Sequence, residues 1–274
     1  MPLDEFRGTN LENWEDRVPL HAASHGYGLD RYRTDPEHIS TIVEFDRDYV
    51  GDVRGARLLH LQCHIGTDTI SWARLGAEAT GVDFSPGALE VARALSDESR
   101  TPARFVQSEL YEAPAALPGE TFDVVYTGGG ALSWLPDIAG WARVVAGFLA
   151  PGGLFYIKEG HPVFLALGDR DDGLLALEYA YFEGPAMRFE ESSTYVDHDR
   201  PLTSTVTYEW NHGIGEIVTA LLDAGLVIEG LVEHRFGEWP AINGMVEIGE
   251  GRWALPESLS DRVPLMYSLW ARRP

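Results

Sequence analysis

Two carboxylates, a histidine and two loops are the groups in this chain whose types and positions suit chemistry. Asp83 closes the apolar run Ala79–Val82. A carboxylate at the carboxyl end of a parallel strand can accept hydrogen bonds from both hydroxyls of a ribose. Its other role would be the N-cap of the next helix, but Ser85 and Pro86 already suit that start. Phe84 beside it can cover one face of a planar base. Glu159 ends a second apolar run, GLFYIKE (153–159), and His161 follows it. A base there could take a proton from a hydroxyl or an amine. For His161 the alternative is a structural turn set by Gly160 and Pro162. Upstream, Gln62, Cys63, Gly66, Asp68 and Thr69 form a loop and the first turn of a helix. Backbone N–H groups at such a place attract an anionic ligand group. Asp68 can attract a cation, or can simply favour the helix dipole. Thr127 and Gly128 open the second loop, whose three glycines let backbone approach a ligand closely.

The elements that must position these groups alternate. Leu58–Ser85 reads as strand, tight loop, helix and second strand. ARFVQ (103–107) and FDVVYT (122–127) are further strands. Asp137–Leu149 has helical spacing and stops at APGG. Strands alternating with helices predict an α/β fold with a doubly wound, mostly parallel sheet. The expected division is an N-terminal helical or lid segment (1–54), an α/β core (55–161), a strand-rich insertion (162–210), and a final helix and strands completing the core (211–274). Within the first segment, apolar spacing predicts a helix from about Pro36 to Val50. In the insertion, LLALEYAYFEG, MRFEESSTYV and TSTVTYEW read as strands. A helix at Ile214–Ala224 and strands at Leu226–Glu233 and 264–271 follow, while 235–262 reads as loop. His25, Tyr27 and Tyr32 lie in the aromatic segment HAASHGYGLDRYR, and Tyr208 and His212 at the exit of the insertion. These five are the candidate substrate-side residues.

Composition narrows the partners. With 21 basic and 43 acidic residues the formal charge is −22. That disfavours nucleic acid and anionic membranes, whose charge asks for a positive surface. It also serves solubility. Cys63 is the sole cysteine, so intramolecular disulfides and cysteine-based zinc sites are excluded. The nine histidines show no metal-ligand spacing. Lys158 is the sole lysine, and nothing around it argues for Schiff-base chemistry. The chain starts without a signal pattern and contains no run of membrane length. The expectation is a cytoplasmic protein that needs no metal; oligomeric state is left open.

Three stretches, LLHLQCHIGTDTISWARLGAEATGVDFS (58–85), FDVVYTGGGALSWLPD (122–137) and LAPGGLFYIKE (149–159), resemble the class I S-adenosylmethionine-dependent methyltransferases. The resemblance covers roughly residues 55–160. It is similar, more loosely, to a bacterial small-molecule subgroup, some of whose members act on secondary metabolites. It implies a Rossmann-like methyltransferase fold of about seven strands, with S-adenosylmethionine as cofactor and methyl transfer to nitrogen or oxygen of a small-molecule acceptor. It also places Ser108, Glu109 and Leu110 at the adenine edge, and the substrate near Glu159 and His161. The family's first loop reads acidic-x-Gly-x-Gly-x-Gly. Here His60, Gln62, His64 and Gly66 stand at those places, so the acidic residue and two glycines are missing. The residues themselves predict that the loop need not adopt positive φ at 62 and 64. Losing those glycines also argues against a dinucleotide pyrophosphate. An NAD(P)-dependent dehydrogenase and a non-catalytic nucleoside-binding module remain the alternatives.

Overall fold

A computed structural model describes residues 4–274. The chain opens with three helices, α1 (Glu5–Ala23), α2 (Leu29–Thr34) and α3 (Thr41–Val50). The alternating core follows: β1 (Arg57–Leu61), α4 (Thr67–Arg74), β2 (Glu78–Asp83), α5 (Pro86–Glu98), β3 (Arg104–Gln107), α6 (Ala113–Ala116), β4 (Phe122–Thr127), α7 (Ile138–Phe148) and β5 (Leu149–Gly160). Next come α8 (Pro162–Leu165), β6 (Met187–Glu190), β7 (Val206–Glu209), α9 (Ile214–Asp223) and β8 (Val227–His234). β9 (Phe236–Gly237), β10 (Val246–Gly249), β11 (Arg252–Ala254) and β12 (Met266–Arg272) complete it.

The main sheet has seven strands in the order β3-β2-β1-β4-β5-β12-β8. β1 to β5 pair in parallel, and β12 runs antiparallel to both β5 and β8. The winding direction reverses between β1 and β4, which opens a crevice at the carboxyl ends of these strands. Side chains alternate across the sheet. Leu59, Leu61, Val125, Phe155 and Ile157 meet Trp141, Val145, Phe148 and Leu221 of α7 and α9. On the other face Leu58, Val124, Tyr126 and Tyr156 meet Val43, Val50 and Trp72 of α3 and α4. A third cluster, with Val18, Leu29, Ile70, Leu89 and Leu95, ties α1 and α2 to α4 and α5.

Three regions differ from the sequence expectation. The N-terminal segment forms three helices, and α3 starts later than the predicted Pro36. The 19-residue α1 escapes hydrophobic periodicity because its buried residues include Asn10, Asn13, Arg17 and His21, and because Pro19 lies inside it. The insertion is mostly irregular. Its only paired strands are β6 and β7, and LLALEYAYFEG forms just one isolated bridge, Leu167 to Leu177. Leu174, Leu177, Tyr179 and Phe182 there are exposed, with no sheet face to cover. Conversely, 235–262 holds a small sheet, β10-β11-β9. No described helix is long and apolar enough to cross a membrane.

Candidate functional site

The chain must turn sharply from β1 into α4, and it does so through left-handed backbone. Gln62 has φ 58°, His64 φ 50° and Gly66 φ 80°. The expectation that residues 62 and 64 avoid positive φ is therefore corrected. Each non-glycine residue in this region costs about 1 kcal/mol or more. Neighbouring hydrogen bonds hold the shape. Asp83 Oδ2 accepts from the His64 N–H at 2.8 Å, Cys63 N–H donates to the Val82 carbonyl at 2.9 Å, and Gln62 Nε2 donates to the Ala131 carbonyl at 2.9 Å. Cys63 packs inward, since a Cβ at Gly81 would stand 2.7 Å from its Sγ. Gly66 serves packing as well, since a Cβ there would stand 2.6 Å from Ala92 Cβ.

Asp83 is thus a staple as well as a strand-end carboxylate. Its Oδ1 accepts from the Ser85 N–H at 2.9 Å. Burial pushes its carboxyl up to about 6, against the lowering effect of those N–H donors. Two bonds leave a carboxylate with acceptor capacity for further donors. Ser85 caps α5 through Ala88 N–H, and its hydroxyl donates to Glu15 of α1. Phe84 is half-buried.

Around Gly128 a polar floor assembles. A Cβ on Gly128 would lie 3.6 Å from Asp68 Oδ2, 3.7 Å from His60 Nε2 and 3.7 Å from the Tyr126 hydroxyl. Burial raises Asp68 to about 6 and lowers His60 to about 3, so this imidazole is neutral. His60 Nδ1 bonds Thr69 Oγ1 at 2.9 Å. Thr127 Oγ1 and Gln62 Oε1 are buried without a hydrogen-bond partner. Gly66, at the N-cap of α4, offers no side chain to the first-turn N–H groups. The fragment after β3 is more occupied. Ser108 bonds Asp83 and Glu109 backbone carbonyls, Glu109 pairs with Arg7 at 3.0 Å and caps Tyr111, and Leu110 is in the core.

The family model described as a methyltransferase domain matches residues 59–155. That stretch of the chain is similar to a methyltransferase domain. Among curated relatives, a ubiquinone biosynthesis O-methyltransferase of Xanthomonas euvesicatoria is 32% identical over 159 residues, spanning 57% of this chain and 59% of that protein. One from Albidiferax ferrireducens is 40% identical over 106 residues, spanning 39% of this chain and 42% of that protein. The chain thus spans less than two-thirds of these relatives' length. Among solved structures, an S-adenosylmethionine-dependent methyltransferase from Mesorhizobium loti matches with TM-score 0.53 and 21% identity, over 90% of this chain and 100% of that one. A glycopeptide N-methyltransferase complexed with S-adenosylmethionine matches with TM-score 0.51 and 17% identity, over 85% and 92%. At such identities these structures speak for the fold.

Just past the matched stretch, Glu159 is engaged by backbone donors. It accepts from the N–H groups of Gly130, Ala131, Leu132 and Gly160 at 2.7–3.0 Å, and so shapes the loop after β4. His161 caps α8 through Val163 N–H at 3.2 Å, with Nε2 2.9 Å from Glu233. Both side chains thus make bonds within the fold. Of the substrate-side candidates, only Tyr27 joins the cluster over the β1–α4 loop. His25 is 98% exposed and pairs with Asp197. Tyr32 is buried against α4, bonded to Ser71. Tyr208 packs its ring on Phe6, and His212 Nε2 bonds the Leu135 carbonyl. The aromatic N-terminal segment does meet the insertion, through His25 on Asp197 and through the Tyr27 hydroxyl, 2.7 Å from that of Tyr195.

Further contacts come from α1. Glu15 reaches Ser85 and Gly87, Asn10 exchanges two bonds with the Tyr208 backbone, and Asp16 accepts from Thr203 and Ser204. Trp14 lies 5.0 Å from His64 and 5.2 Å from Trp134, ring centre to ring centre. His21 stands 5.0 Å from His64, 5.5 Å from Tyr27 and 4.8 Å from Tyr195. A cavity of about 470 Å³ is lined by Arg7, Tyr111, Asp137 and Arg143. Sequence reasoning also missed a buried network that adjoins the polar floor at Gly128 through the Tyr126 hydroxyl. Asp46 accepts from Tyr126, Tyr156 and Lys158 at 2.6–2.9 Å, and Lys158 also pairs with Glu238 at 2.7 Å.

Proposed function

We propose that this protein is an S-adenosylmethionine-dependent methyltransferase acting on oxygen or nitrogen of a small molecule, with oxygen favoured. The carrying observation is the left-handed β1–α4 loop, kept without its glycines and stapled by Asp83 at the β2 end. Strained backbone held in this way belongs to ligand sites. The residues present fit the cofactor. Asp83 retains acceptor capacity for the ribose hydroxyls, and Phe84 offers an adenine face. Asp68 stands beside Gly128 next to the missing acidic position at His60, and suits the methionine ammonium. The uncapped first turn of α4 suits its carboxylate. Neutral His60 does not repel a cation there. When bound, the sulfonium supplies an electrophilic methyl group. The chain's part is then to align acceptor and donor and to exclude water, which α1 and the insertion are placed to do.

Oxygen is favoured because the curated relatives carry the name O-methyltransferase, while the glycopeptide enzyme keeps nitrogen in view. The strongly acidic chain agrees with a small acceptor rather than a nucleic acid. Calorimetry should give binding of adenosylhomocysteine and none of NAD. Mass spectrometry of a metabolite extract incubated with enzyme and cofactor should then reveal a product heavier by one methylene. Binding of NAD in place of adenosylhomocysteine would overturn the proposal.

A further inference from the structure

Arg17 is the least satisfied charge in the molecule's cover. It is 8% exposed, yet it makes no ion pair and donates no hydrogen bond to any described residue, and its Nε is among the buried atoms without a partner. Its guanidinium lies 5.3 Å from the Trp14 ring and 5.8 Å from the Trp134 ring. The contrast with Arg74 is direct, since that guanidinium donates to the carbonyls of Asp35, His38 and Tyr32. Burying an arginine with no partner is costly, and in folded proteins such a group normally finds an anion. Glu191 and Glu209 act on it through their charge, but neither forms an ion pair with it.

Its surroundings carry the same signature. Asn13, one turn earlier on α1, has a buried Oδ1 without a partner, and so has His64 at Nε2. Trp14 and Trp134 cross at 68°, with His21, Tyr27 and Tyr195 closing the side. Unpaired polar atoms framed by flat rings describe a site for a planar ligand with one ionised group.

We propose that Arg17 holds an oxyanion, a carboxylate or ionised phenol, of an aromatic acceptor lying between α1 and the loop after β4. This rests on the methyltransferase reading and names its acceptor class. The donor's own carboxylate is the other source of such an anion. The acceptor is favoured because the uncapped first turn of α4 already suits the donor's tail, while Arg17 is ringed by Tyr27, Tyr195, Glu191 and Glu209, which come from outside the strand–helix core. The bidentate fork of arginine suits a planar anion better than a lysine would.

The test is calorimetry on the full chain with benzoate and its neutral counterpart benzamide, with and without adenosylhomocysteine. Wild type should prefer benzoate by about tenfold or more, the size of a hydrogen bond to a charged group. Arg17→Gln should erase the preference and Arg17→Lys keep part of it, with adenosylhomocysteine affinity held within about threefold. Should Arg17→Gln fail to fold, the wild-type preference and Arg17→Lys still decide. Equal affinity for the two probes, or binding of neither, overturns the proposal. So does an Arg17→Gln variant that loses adenosylhomocysteine affinity but binds 5′-methylthioadenosine, which lacks the amino-acid tail, as wild type does. Failure of wild type to bind adenosylhomocysteine, with the benzoate preference intact, would instead sink the methyltransferase reading and leave the anion site standing.

Discussion

Two loops at neighbouring strand ends are each gripped by one buried carboxylate, and they differ in how completely. Glu159 accepts from four backbone N–H groups and holds the loop after β4. Asp83 accepts from His64 and Ser85 and holds the loop after β1. Both are nearly inaccessible, at 2% and 7% exposure, and burial raises the pKa of both. Position at a strand end and residue type are thus shared. What separates a structural carboxylate from a ligand-ready one is the number of lone pairs still free.

The largest effect should come from Glu159→Gln. Its amide nitrogen would face donors, leaving buried N–H groups unpaired. A stability loss of about 2–4 kcal/mol is expected from urea denaturation, with adenosylhomocysteine binding lost alongside. A stable variant with ordinary binding would show that the grip is dispensable. Asp83→Ala should cost less stability but reduce adenosylhomocysteine affinity by about tenfold or more, on the 1.5–3 kcal/mol scale of a charged hydrogen bond. Unchanged affinity in the folded variant would remove Asp83 from the ribose.

The same residue sets a pH signature. Asp83 stands at about 6 in the folded chain, against about 3.9 unfolded. It binds its proton more tightly when folded, so its contribution to stability is full below about pH 4 and is lost as pH rises through about 6. The stability of wild type relative to Asp83→Asn should therefore fall across that window. A flat difference in urea denaturation would contradict the burial. The smallest effect concerns His64. His64→Gly should leave adenosylhomocysteine affinity within about threefold, since glycine adopts positive φ freely, whereas the β-branched His64→Val should lower it by about tenfold. Equal affinities would mean that the loop's shape is not what the ligand needs.

The comparison also explains what sequence alone could give. The core sheet was legible because Leu58–Leu61, Ala79–Val82 and Phe122–Thr127 are apolar runs bounded by turn residues. Asp83 and Gly128 were legible because they stand at the ends of those runs. Even the opposite orientation of Lys158 and Glu159 follows from strand alternation. The partners were not legible. Glu159 looks like a base until the four N–H groups it serves, three of them 27–29 residues away, are seen around it. Lys158 meets Asp46 and Glu238 only through the fold. Arg17 lies on a helix whose buried stripe is polar, so hydrophobic periodicity passes over it. The insertion misled only in part: MRFEESSTYV and TSTVTYEW do hold the paired β6 and β7, whereas LLALEYAYFEG forms no strand.

Gln62 and His64 turn the first loop into a lesson about spelling. What that loop can offer a ligand is the path of its main chain, and the letters written along that path are a secondary matter. Glycine is the usual way to write the path because it is the least constrained, but here hydrogen bonds to Asp83 and Ala131 hold a left-handed line through other letters. A pattern search keyed to glycine would pass over such a protein, while a comparison of dihedral angles along five residues would find it. Chains set aside for a degraded motif are therefore worth sorting again by whether an acid at the end of the second strand still reaches back to the loop.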